Sequence, residues 1–314
     1  MPLPKPKPTE SRNQFLSRCM ADETSMTEYP DIEQRYAVCN SLLNNKKYIL
    51  KQAKKKIALN FRKQIILAEK KNYPIAYNYY LKEFEKASKM FIENPIVNNQ
   101  NFNVLFSEIE TKKMYSEMYK QTGIRFAKWY ANIFEKLAKK QLSTSVIEQN
   151  MERYASEKEN YLALVREVSA VSGVAKSTLK KVLAELVADE TFMSLGEEAR
   201  VREIMKRLKF KARWMARRIV RTETTASANF GIQLSASDIY GDDNLVKEWI
   251  AFDGPRTRDT HRAASSEYSN NPIPMNEPYS VGTSKMMFPS DTSLGAKAKE
   301  VVNCRCVSIP FIPD

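Results

Sequence analysis

The chain has few glycines and no long hydrophobic run, and each absence excludes a class of protein. Eight glycines in 314 residues are too few to favour glycine-rich phosphate loops, and neither a P-loop nor a dinucleotide-binding fingerprint occurs. No apolar run approaches the roughly 20 residues that cross a bilayer, so we expect no membrane span. The first ten residues alternate proline with lysine and lack the apolar core of a signal peptide, which predicts synthesis in the cytoplasm.

Cysteine is also scarce. Four cysteines are too few for a disulfide scaffold in a chain of this length, and in a reducing compartment thiols or metal ligands are more common than bridges. We expect Cys19 and Cys39 to be thiols that pack as small apolar side chains, because two thiols without further ligands make a poor zinc site. A metal held by these two cysteines is the less favoured alternative.

Acidic residues are outnumbered, with 37 aspartates and glutamates against 50 lysines and arginines and a formal net charge of +13. Such a chain favours a polyanion as partner, nucleic acid first and an anionic membrane surface second. Two basic runs stand out, and the second holds Phe210 and Trp214 and no acid between Glu203 and Glu223. Both runs predict phosphate contacts, and the alternative is that they pair with acids elsewhere. The candidates are Lys54, Lys55, Lys56, Arg62, Lys206, Arg207, Lys209, Lys211, Arg213, Arg217 and Arg218.

The spacing of apolar residues predicts a mainly α fold in three parts. Residues 1–44 form a mobile Pro/Lys-rich N-terminus with a short helical cassette, and residues 45–220 form a helical domain because apolar residues recur three and four apart. From residue 221 to 314, proline, asparagine and serine become frequent, which indicates a small α+β domain. Alternation in residues 301–309 predicts a strand there.

Residues 165–186 resemble a helix-turn-helix. A small residue at Ser169, a glycine at Gly173 and apolar residues at Leu179 and Val182 have the required spacing. A plain two-helix hairpin needs the same residues and is the favoured interpretation. A DNA-reading motif is the alternative.

The only histidine and two cysteines lie in the last hundred residues. In a strand, Cys304 and Cys306 point to one face, so the two thiols could bind one metal ion, with His261 as the third ligand. Asp253, Asp259 or water would have to be the fourth ligand. Zinc is therefore a possible cofactor, and a thiol-lined core without metal is the favoured alternative.

An ordered set of mostly polar residues lies in the C-terminal third of the chain. Its members are Arg221, Thr222, Glu223, Asn229, Lys247, Trp249, Asp253, Arg258, His261, Asn303, Cys304, Arg305 and Cys306. In order and spacing, this set resembles the Mu F-like phage head morphogenesis family. The resemblance covers about residues 200–310, and it rests on the order of the set because no single element is specific. One departure is Ser265, in a segment where the family often has glycine after the histidine.

The resemblance implies a minor, non-enzymatic protein of the phage head. Such a protein is expected to bind the portal protein and packaged double-stranded DNA without reading sequence, and to act in capsid assembly or DNA delivery. Its expected location is the virion interior, with the host cytoplasm during assembly, and self-association is a further candidate interaction. Two alternatives stay open. One is a metal-dependent nuclease in which His261 activates water, and the other is a regulator that binds DNA through residues 165–186.

Overall fold

A computed structural model gives the fold of most of the chain. The predicted mainly helical fold is confirmed, with short strands after residue 240. None of the described helices is both long enough and apolar enough to cross a membrane. The structure describes residues 3–4, 12–94, 104–138, 147–152, 162–252 and 254–313. Within these ranges, only the backbone is described at residues 12, 41, 43–55, 134–138, 162–172 and 244.

Helices make up most of the described chain, and the strands are short. Residues 147–152 are helical in addition to the numbered helices. The helices are α1 Arg12–Met20, α2 Glu23–Glu28, α3 Ile32–Glu93, α4 Glu108–Ala138, α5 Leu162–Val187, α6 Glu190–Met193, α7 Glu197–Tyr240, α8 Asp259–Asn270 and α9 Ala298–Val301. The strands are β1 Val246–Ile250, β2 Ile273–Pro274, β3 Tyr279–Val281, β4 Ser284–Met286 and β5 Val307–Phe311.

The chain divides into two compact units, and the first holds the residues up to 62 together with those from 312 onward. In this unit Phe15 and Leu16 of α1 pack with Cys19 and Cys39. The two cysteines form a disulfide, with Cα atoms 6.0 Å apart. The prediction of two unlinked thiols is therefore wrong. Pairing depends on how close two Cα atoms come in the fold, and a separation of 20 residues along the chain does not reveal that distance.

The second unit, residues 63–311, is built on the packing of α4 against α7. The two helices touch backbone to backbone at Gly123 and Gly231, where a Cβ on Gly231 would overlap the Gly123 carbonyl. Aromatic and aliphatic side chains from α3, α4, α5 and α7 fill one core. Its members include Tyr80, Phe84, Tyr115, Tyr119, Leu183 and Leu208.

Residues 165–186 contain no turn, because α5 is one helix from Leu162 to Val187. Both the predicted hairpin and the helix-turn-helix are therefore wrong. Glycine inside a helix costs only about 1 kcal/mol relative to alanine. Here Leu179 and Leu183 are fully buried in the core, and their packing outweighs the preference of Gly173 for a turn.

A three-stranded antiparallel sheet in the order β2-β1-β5 lies near the C-terminus, with Trp249 opposite Ser308. A separate hairpin pairs β3 with β4. The strand predicted over residues 301–309 begins only at Val307, because the chain turns at Asn303, whose φ is +60°. Asparagine adopts this left-handed conformation more readily than most residues. Helix α7 continues through residue 221, the predicted start of the C-terminal domain.

Candidate metal centre and basic helix face

Four polar side chains on one face of α7 are buried against the C-terminal segment. Thr222, Thr225, Asn229 and Gln233 are spaced three or four residues apart, which places them in a row along a helix. We call this row the polar stripe. Each of the four is 9% exposed or less, so each needs hydrogen-bond partners inside the protein.

The polar stripe binds the backbone of residues 303–308. The Asn303 N–H donates to Thr222 Oγ1 at 3.0 Å, and Thr225 Oγ1 donates to the Cys304 carbonyl at 2.8 Å. Asn229 donates to the Cys306 carbonyl at 3.1 Å and accepts from the Ser308 N–H at 2.7 Å. The stripe thus pairs the polar backbone groups of a segment that is only partly in a strand.

Some of the other residues that carry the resemblance lie at or beside the same segment, and others lie elsewhere in the second unit. Arg258 donates to the Val302 carbonyl, and Arg305 forms a two-point ion pair with Glu69 of α3. The Glu223 carboxylate accepts a hydrogen bond from the Tyr119 hydroxyl in the core. Trp249 is fully buried. Asp253 lies outside the described residues.

His261, Cys304 and Cys306 come together, as predicted, in a buried cluster that we call the Cys/His cluster. His261 Nδ1 lies 3.3 Å from Cys306 Sγ and 3.6 Å from Cys304 Sγ. All three residues are at most 3% exposed. Helix α8 supplies the imidazole and the segment before β5 supplies both thiols, while the His261 and Trp249 rings are nearly perpendicular, with centroids 5.5 Å apart.

The other ring nitrogen of His261 faces a carboxylate. Glu300 Oε2 of α9 lies 3.3 Å from His261 Nε2, at an angle outside that of a hydrogen bond. Thr260 Oγ1 donates to the same Glu300 oxygen at 2.8 Å. Glu300 is 2% exposed, so a buried carboxylate stands behind the imidazole on the side away from the thiols.

The pKa values of the two thiols shift in opposite directions. Burial alone would raise the pKa of Cys304, but hydrogen bonds from Cys306 and His261 outweigh it, and the pKa of Cys304 lies well below its ordinary value. The hydrogen bond to Cys304 and burial both raise the pKa of the Cys306 thiol. The Cys306 N–H also points to Cys304 Sγ, at 3.4 Å. The pair therefore favours one thiolate, centred on Cys304.

The Cys/His cluster can hold a metal ion, because its three ligand atoms lie within 4.8 Å of one another. Asp259, one of the fourth ligands considered from sequence, is a poor candidate: its side chain is 99% exposed and pairs with Arg262 at 2.8 Å. Its position at the first turn of α8 directs it to solvent. The low exposure of Cys304 does not suit a nucleophile, which has to meet a substrate.

Lys247 is a fully buried charged side chain of β1. It is 0% exposed, donates to the Met287 carbonyl at 2.8 Å and lies 5.0 Å from the Tyr279 ring centroid. Burial lowers its pKa to about 8, and Asp291 is the main group that opposes this shift. Gln233 also donates to the Met287 carbonyl, so that acceptor has a second partner.

The second basic run lies on the outer face of α7, and we call this surface the basic face. Lys206, Lys209, Lys211, Arg213, Arg217 and Arg218 are exposed, and Arg207 is half-buried. Among these, Lys206 and Arg207 pair with Glu203. The alternative of acid pairing thus holds for two members of the run. In the first run Lys56 and Arg62 are exposed on α3, and the side chains of Lys54 and Lys55 lie outside the described ones.

The basic face continues toward the C-terminal segment. Desolvation lowers the pKa of Arg221, and the nearby positive charges of Arg305, Arg256 and Arg217 lower it further. Glu69 acts in the opposite sense. Arg305 is the one of these arginines shown in contact with Glu69, so the positive charges of the other three extend the positive field at the end of the basic face.

Four residues of this region were not identified from the sequence. Thr225 and Gln233 follow Thr222 and Asn229 at helical spacing, and that spacing was an available signal. Glu300 and Glu69 have no such signal, because their partners His261 and Arg305 are distant along the chain.

Comparison with protein-family models, curated proteins and solved structures gives no match for this chain.

The depressed pKa of Lys247 predicts a pH effect on stability. The folded pKa of about 8 lies below the value of roughly 10.4 in an unfolded chain, so the unfolded state binds more protons between these values. Stability should therefore rise by roughly 2 kcal/mol from about pH 7 to about pH 10 through this residue alone. Lys247→Met should remove that rise in denaturant-unfolding experiments. Lys285→Met, at an exposed position of β4, is the control, and an unchanged pH dependence in Lys247→Met would contradict the prediction.

Proposed function

We propose that the chain is a minor structural protein of a phage head that binds nucleic acid through the basic face of α7. The observation that carries this proposal is the exposed run of cations on that face, with no acid between Glu203 and Glu223. The resemblance of the C-terminal residues to the Mu F-like head morphogenesis family supports the setting. Exposed lysines and arginines gain affinity for DNA by releasing counterions from phosphates.

The proposed partners are double-stranded DNA, bound without sequence preference, and the phage portal protein. Long side chains on one helix face contact phosphates and sugars, which carry no sequence information. The continuation of positive charge to Arg221, Arg256 and Arg305 lengthens the surface along which a phosphate backbone can lie. The proposed location is the virion interior, after assembly in the host cytoplasm.

We propose zinc as the occupant of the Cys/His cluster. Two thiolates and one imidazole are ligands that zinc favours. In known sites a ligating histidine usually directs its other nitrogen to a carboxylate, and Glu300 has that position relative to His261. The three donors are almost completely buried, which would shield the ion from solvent and substrate, and water or a further group would complete its four-coordinate shell. The ion would join α8 to the segment before β5, which is a structural role and favours the head protein over the nuclease alternative.

DNA binding should depend steeply on salt and on the basic face. In electrophoretic mobility shifts with duplexes of unrelated sequence, we expect similar affinities, which several phosphate contacts should make fall by roughly 1,000-fold or more between about 50 and 200 mM salt. The triple variant Arg213→Gln/Arg217→Gln/Arg218→Gln should weaken binding. It should also reduce the slope of log affinity against log salt concentration by the amount expected for roughly three lost phosphate contacts. The control removes three exposed charges elsewhere, in Lys82→Gln/Lys285→Gln/Lys297→Gln. The proposal would be contradicted if both variants lost equal affinity for DNA, or if the native protein bound no DNA at low salt. Plasmid nicking by the native protein that His261→Ala abolishes would also contradict it.

Zinc should copurify with the reduced protein at about one ion per chain, a stoichiometry that follows from the single Cys/His cluster among the described residues. Elemental analysis should show this zinc lost from Cys304→Ser and from Cys306→Ser, and retained in Cys19→Ser/Cys39→Ser, which removes only the sulfurs of the disulfide. Glu300→Gln should weaken zinc binding by roughly 10- to 100-fold. The proposal would be contradicted if the native protein bound no zinc and if added cobalt gave no sulfur-to-metal absorption band. The cluster would then be a thiol-lined core.

A further inference from the structure

Two aromatic rings stand outward on the basic face of α7. Phe210 is 70% exposed and Trp214 is 52% exposed. Their spacing of four residues puts both on the same side of the helix. The opposite side of α7 supplies Leu208, Ala212 and Met215 to the core. The rings therefore do not belong to the hydrophobic core of the folded unit.

Cations surround the two rings. Lys206, Lys209, Arg213 and Arg217 are exposed at neighbouring positions of the same helix. The Arg218 guanidinium lies 5.4 Å from the Trp214 ring centroid. Two large apolar surfaces are thus held in water within a positive field. Phosphate contacts alone account for the cations but make no use of the rings.

The chemistry of the face fits a chain that carries both phosphates and free base faces. In an unpaired strand, bases stack on aromatic side chains while lysines and arginines contact the backbone. In an intact duplex the bases stack on one another, and a helix on its outside meets phosphates and base edges. An acidic protein would match the charge but offers no regular series of flat rings for Phe210 and Trp214.

We infer that the basic face of α7 binds single-stranded nucleic acid, with unpaired bases stacked on Phe210 and Trp214. The inference rests on the proposed nucleic-acid function and adds the single strand to the duplex as a ligand of the same face. The affinity for a single strand then has two parts that can be measured separately. The cations provide a salt-dependent part that duplex and single strand share, and the rings provide a salt-insensitive part that only unpaired bases receive.

The test compares a fluorescein-labelled oligothymidylate of about 20 nucleotides with a duplex of about 20 base pairs, by fluorescence anisotropy over a salt series. For Phe210→Ala/Trp214→Ala we expect single-strand binding to weaken by roughly 10-fold or more at every salt concentration, since each stacked base contributes about 5- to 150-fold. Duplex binding should change less than twofold. The control is Val104→Ala/Ile109→Ala, which removes two side chains that are each 68% exposed outside α7.

Failure of this inference and failure of the proposed function give different results. If the native protein binds the duplex, and Phe210→Ala/Trp214→Ala leaves single-strand binding unchanged or weakens both ligands equally, the stacking inference is overturned and the nucleic-acid function stands. If the native protein binds neither ligand even at about 50 mM salt, where counterion release favours binding, both are overturned, and an acidic protein partner becomes the better occupant. Circular dichroism of each variant checks that the exposed substitutions leave the helices intact.

Discussion

The hydrogen bonds between the polar stripe of α7 and the backbone of residues 303–308 are the constraint on which the candidate site depends. The segment before β5 turns at Asn303 and lacks a neighbouring strand until Val307. Thr222, Thr225 and Asn229 supply the partners that a strand would otherwise supply. Each buried backbone group left unpaired costs about 1–3 kcal/mol, so these contacts fix where Cys304 and Cys306 lie.

One helix therefore serves three surfaces. The first half of α7 turns cations and two aromatic rings outward and apolar side chains inward. Its second half approaches α4 closely at Gly231 and carries the polar stripe. In the proposed function, α7 carries the nucleic-acid surface, and its polar stripe positions the segment that supplies Cys304 and Cys306 to the zinc site.

Local patterns in the sequence predicted the helical class of the fold and the meeting of His261 with Cys304 and Cys306. Periodicity is a property of neighbouring residues, and imidazole and thiol side chains are common metal ligands wherever they lie in a sequence. The errors came where tertiary contacts decide. Gly173 was expected to turn the chain, but core packing holds it inside a helix. The pairing of Cys19 with Cys39 and the place of Glu300 behind His261 depend on distances in space that spacing along the chain does not encode.

The most direct measurement of the central constraint is amide hydrogen exchange of the Asn229→Ala variant, followed at Ser308. Asn229 Oδ1 accepts the Ser308 N–H, and its loss should lower protection there by roughly 5- to 150-fold, the equivalent of about 1–3 kcal/mol. Amides in the middle of α4 should keep their protection. Asn270→Ala, at an exposed position of α8, is the matched control and should leave Ser308 unchanged. Undiminished protection of Ser308 in Asn229→Ala would contradict the account, because the segment before β5 would then be held by contacts other than the polar stripe.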